Sequence, residues 1–185
     1  LMALCVLAGI VQAGPKETNL EIPTIFGDHM VLQRDRAIPV WGWATPGTHI
    51  SVSIGSRRER AVADTNGYWE VRLGKLRVGG PLSMTVKGGD ATVVFTNVMV
   101  GEVWIGSGQS NMAWPLSMAE KGEAAIATAN FPDIRLLKIQ NSATNVQAHK
   151  VNAVWTSCTP DSAKGCSAVE YFFGRELHQK LAVPV

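Results

Sequence analysis

The stretch GEVWIGSGQSNMAWPL, residues 101–116, places one serine where nucleophilic chemistry is feasible. An apolar run at residues 103–105 breaks into Gly-Ser-Gly and is followed by Gln109, Ser110 and Asn111. A serine hydroxyl attacks an ester only if a base takes its proton and hydrogen-bond donors hold the oxyanion that forms. The start of a helix offers such donors, because its first backbone N–H groups are unpaired. The pattern therefore predicts a strand-to-helix corner that exposes Ser110, and an N-cap serine that ends a Gly-rich turn explains the same residues equally well.

The residues before this corner predict a β-rich region. From residue 22 to residue 100, short alternating runs are separated by turn signals such as Asn66-Gly67, and helical periodicity of useful length is missing. In the run THISVSI, every second residue from Ile50 to Ile54 is apolar and shares one face. About eight short strands in this space are typical of a small antiparallel β-sandwich, and Asn66-Gly67 predicts a hairpin.

The tryptophans of this region allow two interpretations. Trp41 and Trp43 have the same parity in a strand pattern, so they are predicted to share the inner face and to pack in the core. The aromatic residues of the region could instead line a carbohydrate platform, because flat rings stack on sugar faces.

After residue 100 the pattern changes to alternating strands and helices, an order typical of an α/β layout with parallel pairing. Ser167 and Glu170 match a capping box at the start of the last helix. Because two strands and two helices cannot cover both faces of such a sheet, this part is predicted to be incomplete. The predicted elements are a strand at 103–105, a helix at 118–129, a strand at 134–139, a polar loop at 141–151 and a helix at 167–181.

Composition and charge narrow the class of protein. The 185 residues carry a formal net charge of +2, and 17% of them are charged, so nucleic acid is not an expected partner. The one basic cluster, Arg57-Arg58-Glu59-Arg60, is interrupted by a glutamate and predicts a solvated strand face.

The first residues have the features of a secretory signal peptide. Residues 1–11 are almost wholly apolar, and Val11 and Ala13 fit a processing site after Ala13. The run is too short to span a bilayer as a helix. Cleavage of residues 1–13 is therefore expected to give an exported chain, periplasmic, lysosomal or extracellular, with no membrane contact. In such an oxidising location Cys158 and Cys166 could form a local disulfide, stay as buried thiols or pair elsewhere.

The string Gly-Gln-Ser-Asn-Met within residues 101–116 resembles the first block of sialate O-acetylesterases, which are SGNH-type carbohydrate esterases. The resemblance extends back through FGDHMVLQRDRAIPVWGWATPG and DTNGYWEVRL and forward through WTSCTPDSAKGCSAVEYFFGRELHQKL, so it covers nearly all of residues 20–185. It implies an auxiliary β-sandwich domain at residues 20–100. At residues 101–185 it implies the N-terminal part of a flavodoxin-like SGNH hydrolase domain with three α/β/α layers.

The resemblance also implies roles for single residues. Ser110 matches the nucleophile that attacks an acetyl ester, and its own backbone N–H is one implied oxyanion donor. Gly108, Gln109 and Asn111 are assigned oxyanion or supporting roles. The implied reaction removes acetyl groups from sialic acid or a related acetylated glycan through an acetyl-enzyme on Ser110, with no metal and no cofactor.

The base implied by the resemblance, an Asp-x-x-His motif late in the esterase domain, is not found in this sequence. None of the six aspartates is followed by a histidine three residues later. His29 and His49 fall in the predicted sandwich, His178 falls on the last predicted helix, and His149 falls in a polar loop. The chain is therefore expected to be a fragment with little or no esterase activity by itself, since loss of a triad member costs several orders of magnitude. The alternative is a non-catalytic carbohydrate-binding or interaction module built on residues 22–100.

Overall fold

The structure is a computed structural model that describes residues 19–140, Asn145 and 150–185. The predicted signal segment 1–13 and His149 lie outside these residues, as does most of the predicted loop at 141–151. Within the described ranges, no helix combines the length and the apolar character that a membrane crossing requires.

Up to residue 101 the chain forms short strands, as their alternation predicts. Five of them make one curled sheet in the order β1-β7-β6-β3-β4, and β2 and β5 make a separate pair. Strand β1 runs parallel to β7, and the other pairings are antiparallel. The strands are β1 (Val31–Gln33), β2 (Ile38–Trp43), β3 (His49–Ile54), β4 (Arg57–Val62), β5 (Tyr68–Leu73), β6 (Gly79–Gly88) and β7 (Ala91–Gly101).

Alternating side chains from these strands share one hydrophobic core. Ile50, Val52 and Ile54 of β3 are buried, which confirms the face predicted from THISVSI. Strands of both sheets contribute, so Val40 of β2 and Val86 of β6 belong to the same cluster. Strand β4, with its basic residues, is mostly exposed, which confirms the predicted solvated face.

The prediction that Trp41 and Trp43 face the core is wrong. In β2 the buried positions are Ile38, Val40 and Gly42, and the two tryptophans lie on the other face, half-buried. The inner position opposite Gly42 is filled by Trp69 of β5, whose ring would lie 2.8 Å from a β-carbon on Gly42. One buried indole therefore replaces the two that the parity pattern assigned to the core.

The predicted hairpin at Asn66-Gly67 is a turn between two sheets. Asp64 Oδ1 accepts hydrogen bonds from the backbone N–H groups of Asn66 and Tyr68 at 2.8 and 2.9 Å, and Gly67 has a φ of +80°. Strand β4 pairs with β3, and β5 pairs with β2. The turn thus passes the chain from one sheet to the other instead of closing a two-stranded hairpin.

After residue 101 short helices and two further strands follow. Helix α2 begins at Gly122, so the predicted helix 118–129 is shorter than its composition suggests. The elements are α1 (Ser110–Ala113), a 3₁₀ turn (Leu116–Met118), α2 (Gly122–Ala127), β8 (Phe131–Leu137), β9 (Trp155–Cys158), α3 (Pro160–Lys164) and α4 (Ala168–Leu181).

The predicted strand at 103–105 does not form, and its residues are largely exposed. Ile105 is 91% and Trp104 61% exposed, and no described strand pairs with this run. The apolar sequence alone cannot make a strand without a partner for its backbone groups.

Among the described residues after 101, the predicted parallel pairing is found at one place. Strands β8 and β9 are antiparallel. Val185, however, donates its N–H to Asp133 O at 3.0 Å and accepts from Arg135 N at 2.8 Å. One residue that bonds to both neighbours of Ile134 is the pattern of a parallel ladder, so the residues after α4 extend the β8 sheet on a parallel edge.

Helix α4 begins and ends as the sequence predicts. The Ser167 hydroxyl accepts from Glu170 N at 3.4 Å, and the helix stops before Pro184 with Ala182 in a left-handed conformation. The complete capping box lies one helix earlier, between Thr159 and Ser162. In α4, Val169 and Phe173 are exposed, whereas Tyr171 is buried.

A buried arginine ties β8 to Asn97 of β7. Arg135 is 8% exposed, and its guanidinium donates to Asn97 Oδ1 at 3.0 Å, to His29 O at 3.2 Å and to Pro132 O at 2.7 Å. His29 and Asn97 both have positive φ, +67° and +54°.

The chain is thus a mixed β structure with a curled five-stranded sheet and few helices. The two-sheet sandwich and the three-layer α/β domain stay predictions, because the second sheet has two described strands and the later elements form a small antiparallel pair.

Candidate active site

Ser110 is the first residue of α1 and lies in an exposed corner. Gln109 is the N-cap, and residues 104–111 are exposed. In the part of the chain that the structure describes, the Ser110 hydroxyl makes no side-chain hydrogen bond. The exposed corner predicted from the sequence is therefore present, although an irregular segment and not a strand leads into it.

Two glycines shape this corner through close approach. A β-carbon on Gly108 would lie 2.7 Å from Met112 Cγ, and one on Gly106 would overlap the carboxylate of Glu170. Neither glycine is among those with positive φ. Their role is to leave room for Met112 and Glu170, not to adopt a special backbone conformation.

Glu170 brings a carboxylate to the corner from the first turn of α4. The partial burial of this carboxylate is the largest influence on its pKa, which lies above the usual value. A hydrogen bond from Gly106 N–H and the positive charge of Lys138 act in the opposite direction and are the smaller effects. The Lys138 ammonium also donates to Gly165 O at 3.1 Å, so it is held near the start of α4.

An open depression of about 500 Å³ adjoins the corner. It is lined by Asn111, Trp114, Ala168 and Val169. The Trp114 indole N–H donates to Met118 O at 3.0 Å, and Trp114 O accepts from Ala168 N at 2.9 Å. The tryptophan is therefore fixed at both its backbone and its ring, and it is still 48% exposed.

The segment that carries Ser110 is bonded to both ends of α4. Glu102 N donates to Pro184 O at 2.8 Å, just after the helix, and Trp114 accepts from Ala168 at its start. Between these points Trp104 packs edge-to-face against Phe173, with ring centroids 5.1 Å apart. Residues 103–113 thus run along α4 without a regular strand.

None of the three histidines that the structure describes is bonded to Ser110. His29 Nδ1 lies 3.0 Å from Asn97 Nδ2 and 3.3 Å from Arg135 Nη1, so it acts as an acceptor for both. His178 Nδ1 donates to Val183 O at 2.7 Å. His49 is the first residue of β3 in the curled sheet.

The two cysteines of this region are free thiols. Cys158 is fully buried at the end of β9, and Cys166 is half-buried in the same cluster. Burial, with Cys158 and Glu170 nearby, raises the pKa of Cys166 to about 12. The sequence allows a local disulfide, buried thiols or pairing elsewhere, and the two thiols are unpaired in the structure.

The arrangement brings together some predicted residues and adds others. Ser110, Gln109, Asn111 and Gly108 lie in one exposed turn, as adjacent positions must. Glu170 and Trp114 were not predicted at the site. The spacing of Trp114 from Ser110, one helical turn, was a usable signal, whereas the approach of Glu170 to Gly106 depends on tertiary packing.

Among the described side chains, no group of three or more His, Cys, Asp or Glu is placed to hold a metal ion.

Comparison with known proteins identifies homologues of this chain. No family model matches it. It is 29% identical over 179 residues to a sialate O-acetylesterase of Pongo abelii, and this alignment covers 84% of this chain and 34% of that protein. The corresponding protein of Mus musculus is 28% identical over 178 residues, 85% of this chain and 33% of that protein.

A solved structure agrees with these relatives. A carbohydrate acetylesterase from Xanthomonas citri matches the fold with a TM-score of 0.86 and 39% sequence identity, over 89% of this chain and 38% of that one. The resemblance predicted from Gly-Gln-Ser-Asn-Met is therefore confirmed as homology. The chain spans about a third of the length of the relatives it matches.

Proposed function

We propose that this chain, homologous over about a third of their length to sialate O-acetylesterases, carries the nucleophile of a carbohydrate O-acetylesterase. The observation that carries the proposal is the Gly-Gln-Ser-Asn-Met string on an exposed corner, within a chain 39% identical to a carbohydrate acetylesterase. The substrate is an acetylated glycan, with O-acetylated sialic acid the form that the curated relatives' names indicate.

The reaction proceeds in two steps on Ser110. The hydroxyl oxygen attacks the acetyl carbonyl while a base takes its proton, and the oxyanion accepts from the backbone N–H of Ser110. Collapse of this intermediate breaks the bond to the sugar oxygen, which leaves with the proton from the base. Water then gives a proton to the base and attacks the acetyl-enzyme, the bond to Ser110 Oγ breaks as that oxygen takes the proton from the base, and acetic acid leaves and ionises to acetate. Gly108, Gln109 and Asn111 shape the corner and support the oxyanion.

The base belongs to polypeptide that is additional to these residues. His29 and His178 are hydrogen-bonded to other residues, His49 is the first residue of β3, and the sequence has no Asp-x-x-His. The relatives are about three times as long as the matched region. In this proposal residues 20–100 are an auxiliary β-sandwich and residues 101–185 are the first part of a three-layer α/β hydrolase domain. Residues 1–13 direct export.

Acetate release from O-acetylated sialic acid tests the proposal. The 185-residue chain is expected to release little or none, because it lacks the base. A longer polypeptide that includes these residues and a late Asp-x-x-His is expected to be active, and Ser110→Ala is expected to lower kcat by at least a thousandfold. Ser107→Ala, three residues away in the same turn, is the matched control. Full activity of Ser110→Ala would refute the role of the serine.

A second candidate function is sugar binding by the β2–β5 face. The observation that favours it is the position of half-buried Trp43 on the face of β2 opposite to its buried residues, edge-to-face to Tyr68 at 5.9 Å, although Trp41 on the same face packs against the buried Phe26. Tyr68 donates to Glu70, which pairs with Arg72 at 2.8 Å. Loss of sugar binding in Trp43→Ala, with binding retained in Trp114→Ala, would support this module over the esterase.

A further inference from the structure

We propose that one face of the curled sheet binds an acidic polysaccharide, a polymer with a carboxylate on each sugar. We call this surface the basic sheet face. It lies within residues 49–94, apart in sequence from the corner at Ser110, so its binding is independent of the proposed function. Its members are Arg58 and Arg60 of β4, Ser51 and Ser53 of β3, Thr85 and Lys87 of β6, and Thr92 and Val94 of β7.

The strand registers place these side chains in two rows that cross four strands. Residues directly opposite each other on neighbouring strands point to the same side of a sheet. Ile50 and Val52, which alternate with the two serines of β3, are buried in the core, so both rows face away from it. The rows are Arg60-Ser51-Lys87-Thr92 and Arg58-Ser53-Thr85-Val94.

The three cations of the basic sheet face are not neutralised within it. Arg58, Arg60 and Lys87 are exposed, and the ion pairs among the described residues involve other side chains. Neither row contains an aspartate or a glutamate. Glu59 is on the opposite side of β4, and Asp90 lies in the turn between β6 and β7. The face therefore presents unpaired positive charge to the solvent.

The spacing of the cations suits a ligand with repeated negative charges. Arg58 and Arg60 are two residues apart on one strand, about 7 Å, and Arg60 and Lys87 are two strands apart, about 10 Å. At physiological ionic strength, screening limits the attraction between exposed charges to about 8 Å. A single small anion therefore interacts with one or two of these cations, whereas a chain of acidic sugars can contact all three.

The neutral members of the face favour a sugar polymer over nucleic acid or protein. The two rows contain no aromatic side chain on which the bases of a single strand would stack. They contain one apolar residue, Val94, whereas the centre of a protein interface is apolar and poor in lysine. Hydroxyl groups, which both donate to and accept from sugar hydroxyls, come from Ser51, Ser53, Thr85 and Thr92.

Binding of polysialic acid to the 185-residue chain, measured by titration calorimetry at low ionic strength, tests the proposal. The triple variant Arg58→Gln, Arg60→Gln, Lys87→Gln is expected to weaken binding on the order of tenfold or more, because three charge-assisted contacts are lost. Added salt is expected to weaken binding by the unmodified chain. Neutral dextran is expected not to bind.

A control variant separates this face from the charge of the whole chain. Lys121→Gln, Lys164→Gln, Lys180→Gln also removes three exposed positive charges, all of them after residue 101, and is expected to bind nearly as well as the unmodified chain. Because all six positions are exposed, both triple variants are expected to keep the melting temperature of the unmodified chain.

The outcomes decide the ligand as well as the surface. Equal weakening in the two triple variants would overturn the proposal, because the net charge would then explain the binding. Failure of the unmodified chain to bind polysialic acid, or equal binding of dextran, would overturn it too. Tighter binding of single-stranded DNA than of polysialic acid would assign the face to nucleic acid instead. Ser110→Ala is expected to bind normally, so failure of this surface and failure of the esterase are seen in different variants.

Discussion

The carboxylate of Glu170 lies directly against the α-carbon of Gly106, in the space that the β-carbon of any other residue would occupy. The two residues come from the segment before Ser110 and from the first turn of α4. The Glu170 carboxylate therefore fits only because residue 106 has no side chain. The segment before Ser110 cannot move toward α4 without displacing this carboxylate.

Replacing Gly106 with alanine is expected to destabilise the chain by about 1–3 kcal/mol, because the new methyl group forces the carboxylate away. Urea denaturation measures the change. Gly165→Ala is the matched control, since no atom lies within 4 Å of a β-carbon there. The double variant Gly106→Ala, Glu170→Ala is expected to recover much of the loss, and strict additivity of the two changes would contradict the contact.

Replacing Glu170 with glutamine is expected to stabilise the chain at neutral pH and to have no such effect in acid. The pKa of Glu170 is raised in the folded chain, above its usual value near 4.5. The protonated carboxyl is thus favoured by folding, and this contribution is full below pH 4.5 and is lost as the pH rises through the folded pKa. Melting temperatures of both proteins between pH 4 and pH 8 measure the difference, and Glu176→Gln, with an exposed side chain on the same helix, is the control. A difference that shrank with rising pH would contradict the prediction.

Replacing Arg135 with methionine is expected to cost about 1–3 kcal/mol, because partly buried oxygen atoms lose their donor. The guanidinium supplies bonds to His29 O, Asn97 Oδ1 and Pro132 O. The comparison is Arg72→Met, which removes an exposed ion pair with Glu70 and is expected to cost less than about 1 kcal/mol. Equal losses in chemical denaturation of the two variants would show that Arg135 is not the anchor described above.

Cys166 is expected to react slowly with alkylating reagents in the folded chain. With a pKa of about 12, only about one thiol in ten thousand is ionised at pH 8, and the thiolate is the reactive form. Peptide mapping after iodoacetamide treatment, with and without denaturant, measures the modification of Cys158 and Cys166 separately. Rapid labelling of folded Cys166, or a linked Cys158–Cys166 peptide, would contradict the free buried thiol.

Local patterns predicted much of the β-rich part and failed where a choice between faces or partners decides the structure. The alternation in β3 identified buried Ile50, Val52 and Ile54. The same reasoning placed Trp41 and Trp43 inside, because parity says which residues share a face but not which face is covered. The β-carbon space beside Gly42, taken by Trp69 of another strand, settles that question.

In the candidate site, too, local motifs were predicted correctly and contacts between distant residues were not. The glycines and polar residues around Ser110 predicted an exposed corner, because a short motif determines local geometry. The apolar run at 103–105 predicted a strand that needs a partner, and no described segment supplies one. Glu170 lies 64 residues after Gly106 in the sequence. A contact over that separation depends on how α4 packs, which no spacing rule contains.

Glu102 and Trp114 bond to the two ends of α4, so the length of this helix sets the distance between the two ends of the segment that carries Ser110. A helix of 14 residues is about 21 Å long. The span between the two anchored ends of the segment is therefore set by the number of turns in α4. Inserting or deleting one turn would change that span by about 5.4 Å, and would alter the shape of the corner without replacing any residue in it. The length of this helix, as much as the identity of the residues around Ser110, is then a property that evolution of the site has to preserve.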